Sequence, residues 1–287
     1  MRPFVALAAL TLAGCATLPA ASPALLATDA ALPAGSHYVA LGSSNAAGAN
    51  IPPLATGRPT RCGASQVSYA RLLASRLNLD LTDATCGGAT TVQLLAPWNE
   101  LPAQIDAVTP ATRLVTISVG GNDLNYMGAV FAGSCRAGVT DPRRAAGEAC
   151  PTVPEPGAAD YARVEDRLAA VVEQVHARAP AARVVLVQYL TLVGEAPCAA
   201  APLPEADAAL VRRLAANLAT ATARAAQRSG AEVLQSDVAS QDHTACSAQP
   251  WTRGLVTGYS GAEGAPWHPT AAGHAAIADM LERLLAG

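Results

Sequence analysis

Two kinds of hydrophobic pattern follow each other along the chain, and together they predict strands interleaved with helices. Short β-rich runs that are apolar almost throughout are typical of strands in a parallel sheet, whereas apolar residues recurring every three or four positions predict amphipathic helices. The predicted strands are residues 36–42, 79–86, 114–120, 183–189 and 232–236. The predicted helices are residues 67–77, 161–178, 205–228 and the segment from Pro269 onward. This alternation indicates an α/β fold in which helices cover both faces of a parallel sheet.

The alternating pattern forms a single block, which predicts one domain over residues 36–287. No internal repeat and no second block of different composition interrupts it. Residues 133–157 lack a clear period, and we interpret them as an irregular insertion pinned by a disulfide.

The N-terminus has the pattern of an export signal. It reads MRPFVALAALTLAGC, with one arginine and an apolar stretch too short to span a bilayer, and this predicts a signal peptide over residues 1–14. The segment from Leu12 to Cys15 also resembles the lipobox of bacterial lipoproteins, in which the cysteine becomes the lipidated first residue. We therefore expect a lipid anchor on Cys15 and a flexible tether over residues 15–35, which are rich in Ala, Pro and Ser. An ordinary secretory signal, in which Cys15 has no role, is the alternative.

Cysteine usage supports export independently of this segment. Without Cys15, six cysteines remain, and an even number in an exported chain indicates three disulfides. Many pairings are possible, and pairing of neighbours is the simplest of them. It joins Cys62 to Cys86, Cys135 to Cys150, and Cys198 to Cys246. Free buried thiols are the alternative, whereas the wide spacing without a C-x-x-C motif disfavours a metal site.

Composition narrows the possible chemistry. The chain has 287 residues, of which 51% are hydrophobic, and a formal net charge of -3. All 19 basic residues are arginines, which excludes a P-loop lysine, a Schiff-base lysine and a Ser-Lys dyad. No basic stripe is present to neutralise phosphates, so we expect no nucleic-acid partner.

Polar residues set among glycines follow three of the predicted strands. Ligands of an open parallel sheet gather at the carboxyl ends of its strands, so these segments are the first candidates for chemistry. They read GSSN (42–45), CGGAT (86–90) and GGND (120–123). A fourth cluster, WHPT (267–270), opens the last predicted helix.

These four clusters, in this order, resemble the sequence blocks of the SGNH or GDSL-like hydrolase family. The resemblance makes Ser44 the nucleophile and His268 the catalytic base. It makes the Gly88 N–H and the Asn122 side-chain amide donors to an oxyanion hole, together with the N–H of Ser44. A serine needs an imidazole that takes its proton, and a tetrahedral oxyanion needs fixed N–H donors, so these residue types suit those roles. The fold implied by the resemblance is a three-layer α/β/α sandwich with a flavodoxin-like parallel sheet.

Two positions depart from the family pattern. The family usually has an aspartate three residues before its histidine, where this chain has Ala265, and loss of that group can cost on the order of ten-thousandfold in rate. Some secreted relatives use a main-chain carbonyl at this position, so the resemblance allows the carbonyl of Ala265 to orient His268. We favour this acceptor, because the spacing to His268 is intact and a backbone group survives a change of side chain. The alternatives are that Glu263 or Asp242 takes this place, or that the hydrolase is weak or inactive. Ser43 replaces the aspartate of the first block and leaves two adjacent serines, of which the block register selects the second.

A further segment narrows the resemblance to a subgroup. The letters DHTAC (242–246), followed by Trp251, resemble the His-x-x-Cys segment of secreted SGNH esterases that carry three disulfides. Those relatives pair their cysteines sequentially, which agrees with neighbour pairing here. The resemblance then makes His243 a structural or cleft-lining residue and not the base.

The resemblance implies an exported serine esterase or lipase that is anchored to the cell envelope through Cys15, on the periplasmic or extracellular side. Such an enzyme would cleave carboxylic esters through an acyl-enzyme, as a monomer, without a cofactor and without a metal. A lipid, a short acyl ester and an acetylated glycan all remain open as substrates. The alternative, which Ala265 and Ser43 motivate, is a non-catalytic or weakly active envelope lipoprotein that uses the fold as a binding module.

Overall fold

The computed structural model describes Met1 and residues 32–139 and 147–287 of the chain. The predicted lipobox with Cys15, and residues 16–31 of the predicted tether, lie outside these residues. Within the described residues, no helix is both long enough and apolar enough to cross a membrane.

Five parallel strands form one sheet, and all five predicted strands are confirmed. They are β1 His37–Gly42, β2 Asp80–Asp83, β3 Thr112–Ser118, β4 Arg183–Val187 and β5 Glu232–Leu234. Their order in the sheet is β2-β1-β3-β4-β5, and every neighbouring pair is parallel. Because β1 lies between β2 and β3, the polar segments that follow these three strands meet at the same end of the sheet.

The described residues contain eight α-helices. They are α1 Ser44–Ala47, α2 Tyr69–Leu77, α3 Thr91–Leu95, α4 Tyr126–Arg136, α5 Ala158–Arg178, α6 Glu205–Ser229, α7 Ser236–Ala239 and α8 Ala271–Leu285. The four predicted helices are confirmed as α2, α5, α6 and α8. The sequence pattern does not predict α4, because Gly128 and Gly133 lower its helix propensity. Residues 133–136, which are predicted to open the irregular insertion, belong to α4, so the insertion begins later than expected.

Side chains alternate across the sheet and fill two cores, one on each face. Val39 and Leu41 pack with residues of α5 and α6, whereas Tyr38 and Ala40 pack with residues of α2 and α8. All four of these β1 side chains are fully buried. The result is three layers, with the sheet between two layers of helices, which confirms the three-layer α/β/α fold.

A third buried cluster holds the segment that leads into α8. It combines residues of α4, the first half of α6 and the loop before α8, and it includes Trp267, which has no exposed surface. The indole N–H of Trp267 donates to the Ser134 hydroxyl of α4 at 2.9 Å. Packing against α4 therefore fixes the chain immediately before His268.

Three disulfides join the cysteines in the predicted sequential pairing. They are Cys62–Cys86, Cys135–Cys150 and Cys198–Cys246. Structural disulfides of this kind are typical of proteins that fold in an oxidising compartment.

Candidate active site

The first candidate segment begins with a sharp turn at the end of β1. Gly42 has a φ of +145°, and a Cβ at this position would lie 2.3 Å from the Ser118 carbonyl oxygen, so only glycine fits. The side chain of Gln104 holds the same residue, because its oxygen accepts from the Gly42 N–H at 2.7 Å and its amide donates to the Gly42 carbonyl at 3.0 Å. The direction in which the chain enters α1 is therefore fixed just before Ser43 and Ser44.

The two adjacent serines occupy different environments. Ser43 is fully buried, and its Oγ lies 3.0 Å from the Tyr189 hydroxyl. Ser44 is partly exposed, and its Oγ lies 2.8 Å from Nε2 of His268. The geometry therefore pairs Ser44, and not Ser43, with the histidine that the sequence predicts as its base.

The other ring nitrogen of His268 determines the tautomer. Nδ1 lies 2.8 Å from the carbonyl oxygen of Pro266. Because a carbonyl oxygen can only accept, Nδ1 carries the proton, and Nε2 presents its lone pair to the Ser44 hydroxyl. A general base that takes the serine proton requires this arrangement.

The expectation that the Ala265 carbonyl orients His268 is wrong by one residue, since the carbonyl at Nδ1 is that of Pro266. Trp267 stands between Pro266 and His268 with a φ of +58°, in the left-handed region. This turn brings the carbonyl of Pro266 back toward the imidazole. The main-chain N–H of Ala265 instead donates to the Ala49 carbonyl, which ties the loop before α8 to the segment after α1.

The acidic alternatives lie apart from this contact. Glu263 is exposed, and Asp242 is exposed in the wall of a cavity that the predicted catalytic residues do not line. His243 stacks on Trp251 with ring centroids 3.9 Å apart and an interplanar angle of 4°. This packing fits the structural role that the resemblance implies for His243.

The three groups that the sequence predicts as oxyanion donors each keep an N–H that is available to a ligand. The Asn122 amide donates one N–H to the Ala89 carbonyl at 2.8 Å, which leaves its second N–H free for a ligand. The N–H of Ser44 belongs to the first turn of α1, where an amide has no acceptor within the helix. Across the described part of the chain, neither this N–H nor that of Gly88 donates to a main-chain acceptor.

One cavity of about 230 Å³ brings the four predicted site residues together. Ser44, His268, Gly88 and Asn122 all line it. Two apolar side chains of α4 complete the wall, Met127 and Phe131. Sequence reasoning missed both of them, because the pattern does not predict the helix that carries them.

Side-chain contacts tie together the loops that carry Gly88 and Asn122. The carboxylate of Asp123 accepts from the main-chain N–H of Thr91 at 2.9 Å and from the Thr91 hydroxyl. The Cys62–Cys86 disulfide also anchors the loop of Gly88, because Cys86 lies two residues before that glycine. Sequence reasoning missed the role of Asp123, for which the only signal is a carboxylate directly after Asn122.

Tyr189 connects two of the candidate segments through one buried hydroxyl. Its oxygen lies 3.0 Å from Ser43 Oγ and accepts from the Gly121 N–H at 3.3 Å. Burial raises the pKa of Tyr189 to about 12, so the hydroxyl keeps its proton at neutral pH. Since Ser43 precedes Ser44 and Gly121 precedes Asn122, the hydroxyl holds both segments at a fixed separation. Its position two residues after β4 is the sequence signal for this role.

Comparison with known proteins gives a consistent result. The sequence profile of the GDSL-like Lipase/Acylhydrolase family matches residues 40–276. "Lipase 2" of Streptomyces coelicolor is 32% identical over 251 residues, which cover 84% of this chain and 83% of that protein. The crystal structure of phospholipase A1 from Streptomyces albidoflavus NA297 is similar with a TM-score of 0.68 and 24% identity, over 87% of this chain and 99% of that chain. An extracellular lipase from Streptomyces rimosus is similar over the same shares, with a TM-score of 0.62 and 25% identity.

The family profile spans the chain from β1 into α8 and includes all four candidate segments. The chain therefore belongs to the GDSL-like lipase/acylhydrolase family and is a carboxylic ester hydrolase.

Proposed function

We propose that this ester hydrolase works through an acyl-enzyme on Ser44, with His268 as general base and then as general acid. The observation that carries the proposal is the distance of 2.8 Å between Ser44 Oγ and His268 Nε2. The Pro266 carbonyl accepts the proton of Nδ1 in a hydrogen bond, so the lone pair of Nε2 faces the nucleophile. A main-chain carbonyl thus takes the place of the third side chain of a triad.

In the acylation step, the Ser44 oxygen attacks the ester carbonyl carbon while its proton passes to Nε2 of His268. The imidazolium then protonates the departing alkoxide, so the alcohol leaves and the acyl group stays on Ser44. In the second step, Nε2 takes a proton from water, and the oxygen of that water attacks the acyl carbon. His268 returns the proton to the Ser44 oxygen as the carboxylic acid leaves.

The negative oxygen that forms in each step is stabilised by fixed N–H donors. We assign this role to the main-chain N–H groups of Ser44 and Gly88 and to the free N–H of the Asn122 side chain. The hydrogen bond from Asn122 to Ala89 supports the assignment, because it orients the amide before substrate binds. Donors that are oriented in advance need no reorganisation during the reaction, and each is worth about 3 kcal/mol.

The cavity around Ser44 favours small acyl groups. Its volume of about 230 Å³ is below the roughly 300 to 1,000 Å³ of pockets that enclose drug-sized ligands. Arg61 also lines this cavity, but its guanidinium is paired with the Glu100 carboxylate at 2.9 Å and offers no unpaired charge to an anionic group. We therefore propose short, uncharged acyl esters, including acetyl esters of glycans, ahead of long-chain lipids.

The experiment measures hydrolysis of p-nitrophenyl acetate, butyrate, octanoate and palmitate by the purified chain. We expect kcat/KM to be highest for the acetate or butyrate ester. Ser44→Ala and His268→Ala are expected to lower kcat at least a thousandfold. Ser75→Ala and His176→Ala are the matched controls, because Ser75 is exposed on α2 and His176 lies on α5, away from the cavity.

Two results would contradict the proposal. Activity that survives in Ser44→Ala would exclude the acyl-enzyme on that residue. Absence of hydrolysis by the folded wild-type chain, with every ester tested, would instead support the alternative of a binding module. A maximum of kcat/KM at palmitate would reject only the preference for short acyl groups.

We further propose that the enzyme is exported and anchored to the cell envelope through a lipid on Cys15. The lipobox-like segment before Cys15 and the three disulfides support this location. The test is labelling of growing cells with a palmitate analogue, followed by separation of membrane and soluble fractions. The wild-type chain is expected to carry the label in the membrane fraction, and Cys15→Ser is expected to lose the label. An unlabelled wild-type chain in the soluble fraction would show an ordinary secretory signal.

A further inference from the structure

Gly88 carries its N–H on an exposed loop and has no side chain to hold it in place. It has a φ of +82°, and glycine is the residue type with the widest choice of backbone conformations. Its neighbours are held, because the Gly87 N–H donates to the Cys62 carbonyl at 2.9 Å and the Ala89 carbonyl accepts from Asn122. The direction of the Gly88 N–H between these two points depends on what packs against the glycine itself.

The indole of Trp98 packs against Gly88. A Cβ placed on Gly88 would lie 3.3 Å from Cη2 of Trp98. Among the described residues, apart from the two chain neighbours of Gly88, no other heavy atom lies within 4 Å of that position. The backbone of Trp98 is itself fixed, because its N–H and its carbonyl pair with Leu101 at 2.9 and 3.0 Å. The edge of one anchored aromatic ring therefore supports this side of the glycine.

Arg61 holds the same indole through its face and its main chain. The guanidinium carbon lies 4.2 Å from the ring centroid, which is a cation–π contact, and Nη2 donates to the Trp98 carbonyl at 3.2 Å. Nε and Nη2 also donate to the Glu100 carboxylate at 2.9 and 3.3 Å, which fixes the plane of the guanidinium. Nη1 lies 3.5 Å from Sγ of Cys86. Arg61 thus ties the Trp98 turn to the start of the Gly88 loop.

Trp98 stands behind the loop and not in the site. The described residues that line the cavity around Ser44 include Arg61 and Gly88 but not Trp98. The indole can therefore influence the reaction only through Gly88. This separates Trp98 from a side chain that binds the substrate directly.

We propose that Trp98, held by Arg61, is a positioning residue for the oxyanion hole, and that its indole edge keeps the Gly88 N–H directed at the negative oxygen. The inference rests on the proposed function, which makes that N–H a donor. The oxygen carries its full negative charge only after Ser44 has attacked. A misdirected N–H therefore slows turnover and leaves the binding of the intact ester unchanged.

The test begins with kinetics of Trp98→Ala and Trp98→Phe on p-nitrophenyl acetate. Complete loss of one oxyanion donor costs about a hundredfold to a thousandfold in kcat, and a displaced donor costs less. We expect kcat to fall about tenfold in Trp98→Ala and about threefold in Trp98→Phe, which keeps an aromatic face for Arg61. KM is expected to stay at the wild-type value in both variants.

A second measurement separates positioning from a structural role. Trifluoromethyl ethyl ketone is the probe, because the Ser44 oxygen adds to its carbonyl carbon and the carbonyl oxygen becomes a tetrahedral oxyanion. Its inhibition constant is expected to rise by the same factor as kcat falls in each Trp98 variant. A structural role would lower the free energy of unfolding and leave both the kcat of the folded enzyme and this inhibition constant unchanged.

Arg61→Gln keeps the test valid if Trp98→Ala does not fold. We expect kcat to fall about threefold, with an unchanged KM, because the indole loses its clamp. Arg163→Gln is the matched control, since Arg163 also donates to a carboxylate at 2.9 Å, that of Asp160, and does not line the cavity. Its kinetics are expected to equal those of the wild type.

Three results would overturn the proposal. A rise in KM with wild-type kcat in Trp98→Ala would place the indole in substrate binding. Wild-type kcat and inhibition in Trp98→Ala would leave it only a structural role. Wild-type kcat in Arg61→Gln would remove the clamp. Failure of the proposed function is distinguishable from these results, because it would appear as an inactive wild-type chain or as activity in Ser44→Ala.

Discussion

His274 lies on α8 and is completely buried, six residues after His268. Its Nδ1 accepts the main-chain N–H of Tyr69 at 3.2 Å, which a protonated Nδ1 cannot do. Burial, reinforced by the nearby His268 and Arg253, lowers the pKa of His274 to about 3. The folded chain therefore keeps this ring neutral at pH values where the unfolded chain protonates it.

The difference between the folded and unfolded pKa of His274 sets how the free energy of unfolding changes with pH. The pKa in the folded state lies below the ordinary value of 6.5, so the unfolded chain binds more protons between these two values. The contribution of neutral His274 to the free energy of unfolding is complete above pH 6.5 and is lost as the pH falls toward 3. At pH 4.5, two units below the ordinary value, the loss is about 3 kcal/mol, because one unit corresponds to about 1.4 kcal/mol. Such a loss is a large share of the roughly 5 to 15 kcal/mol that stabilises a typical domain.

The assay is urea unfolding of the oxidised chain between pH 7.5 and 4.5, for the wild type and for His274→Asn. Asparagine does not titrate, and its side-chain oxygen can accept the Tyr69 N–H. The difference in the free energy of unfolding between the two proteins is expected to change by about 3 kcal/mol over this range. Ser75→Ala, at an exposed position of α2 that does not titrate, is the control and is expected to show no such change. A difference that stays constant with pH would refute the argument that His274 is buried in its neutral form.

Three further predictions concern the residues around the nucleophile. Asn122→Ala removes one proposed oxyanion donor, so kcat is expected to fall about a hundredfold to a thousandfold with little change in KM; equal losses in binding and turnover would argue for a structural role. Tyr189→Phe removes the hydroxyl that holds Ser43, and we expect kcat to fall about tenfold through misplacement of the nucleophile, with an unchanged KM; wild-type kcat would exclude this positioning role. Trp267→Phe loses the hydrogen bond to Ser134 and is expected to lower the free energy of unfolding by about 1 kcal/mol, whereas Trp267→Ala is expected to cost about 3 to 5 kcal/mol. Urea unfolding checks both Trp267 variants, and equal losses would contradict the separation of packing from hydrogen bonding.

The sheet and the central pair of site residues could be predicted from the sequence because their signals are local. Strands buried on both faces appear as short apolar runs, and each candidate segment follows a strand or opens a helix. The contact between Ser44 and His268 depends only on where two such segments lie in the fold. The geometry of the site agrees with the family pattern at both positions.

The features that sequence reasoning missed depend on conformation or on distant neighbours. The orienting carbonyl belongs to Pro266 and not to Ala265, because Trp267 adopts a left-handed φ that its residue type does not suggest. Tyr189 reaches Ser43 because β1, β3 and β4 lie side by side in the sheet, which residue spacing does not reveal. The helix α4, with the apolar wall that it provides, is hidden by its glycines.

The most direct test of the central claim is reaction of the folded chain with a fluorophosphonate probe, followed by mass spectrometry of the labelled peptides. The probe reacts with a serine that a neighbouring base activates. We predict a single adduct on Ser44, which is abolished in Ser44→Ala and strongly slowed in His268→Ala. An adduct on Ser43, or labelling of Ser44 that is as fast in His268→Ala as in the wild type, would contradict the account.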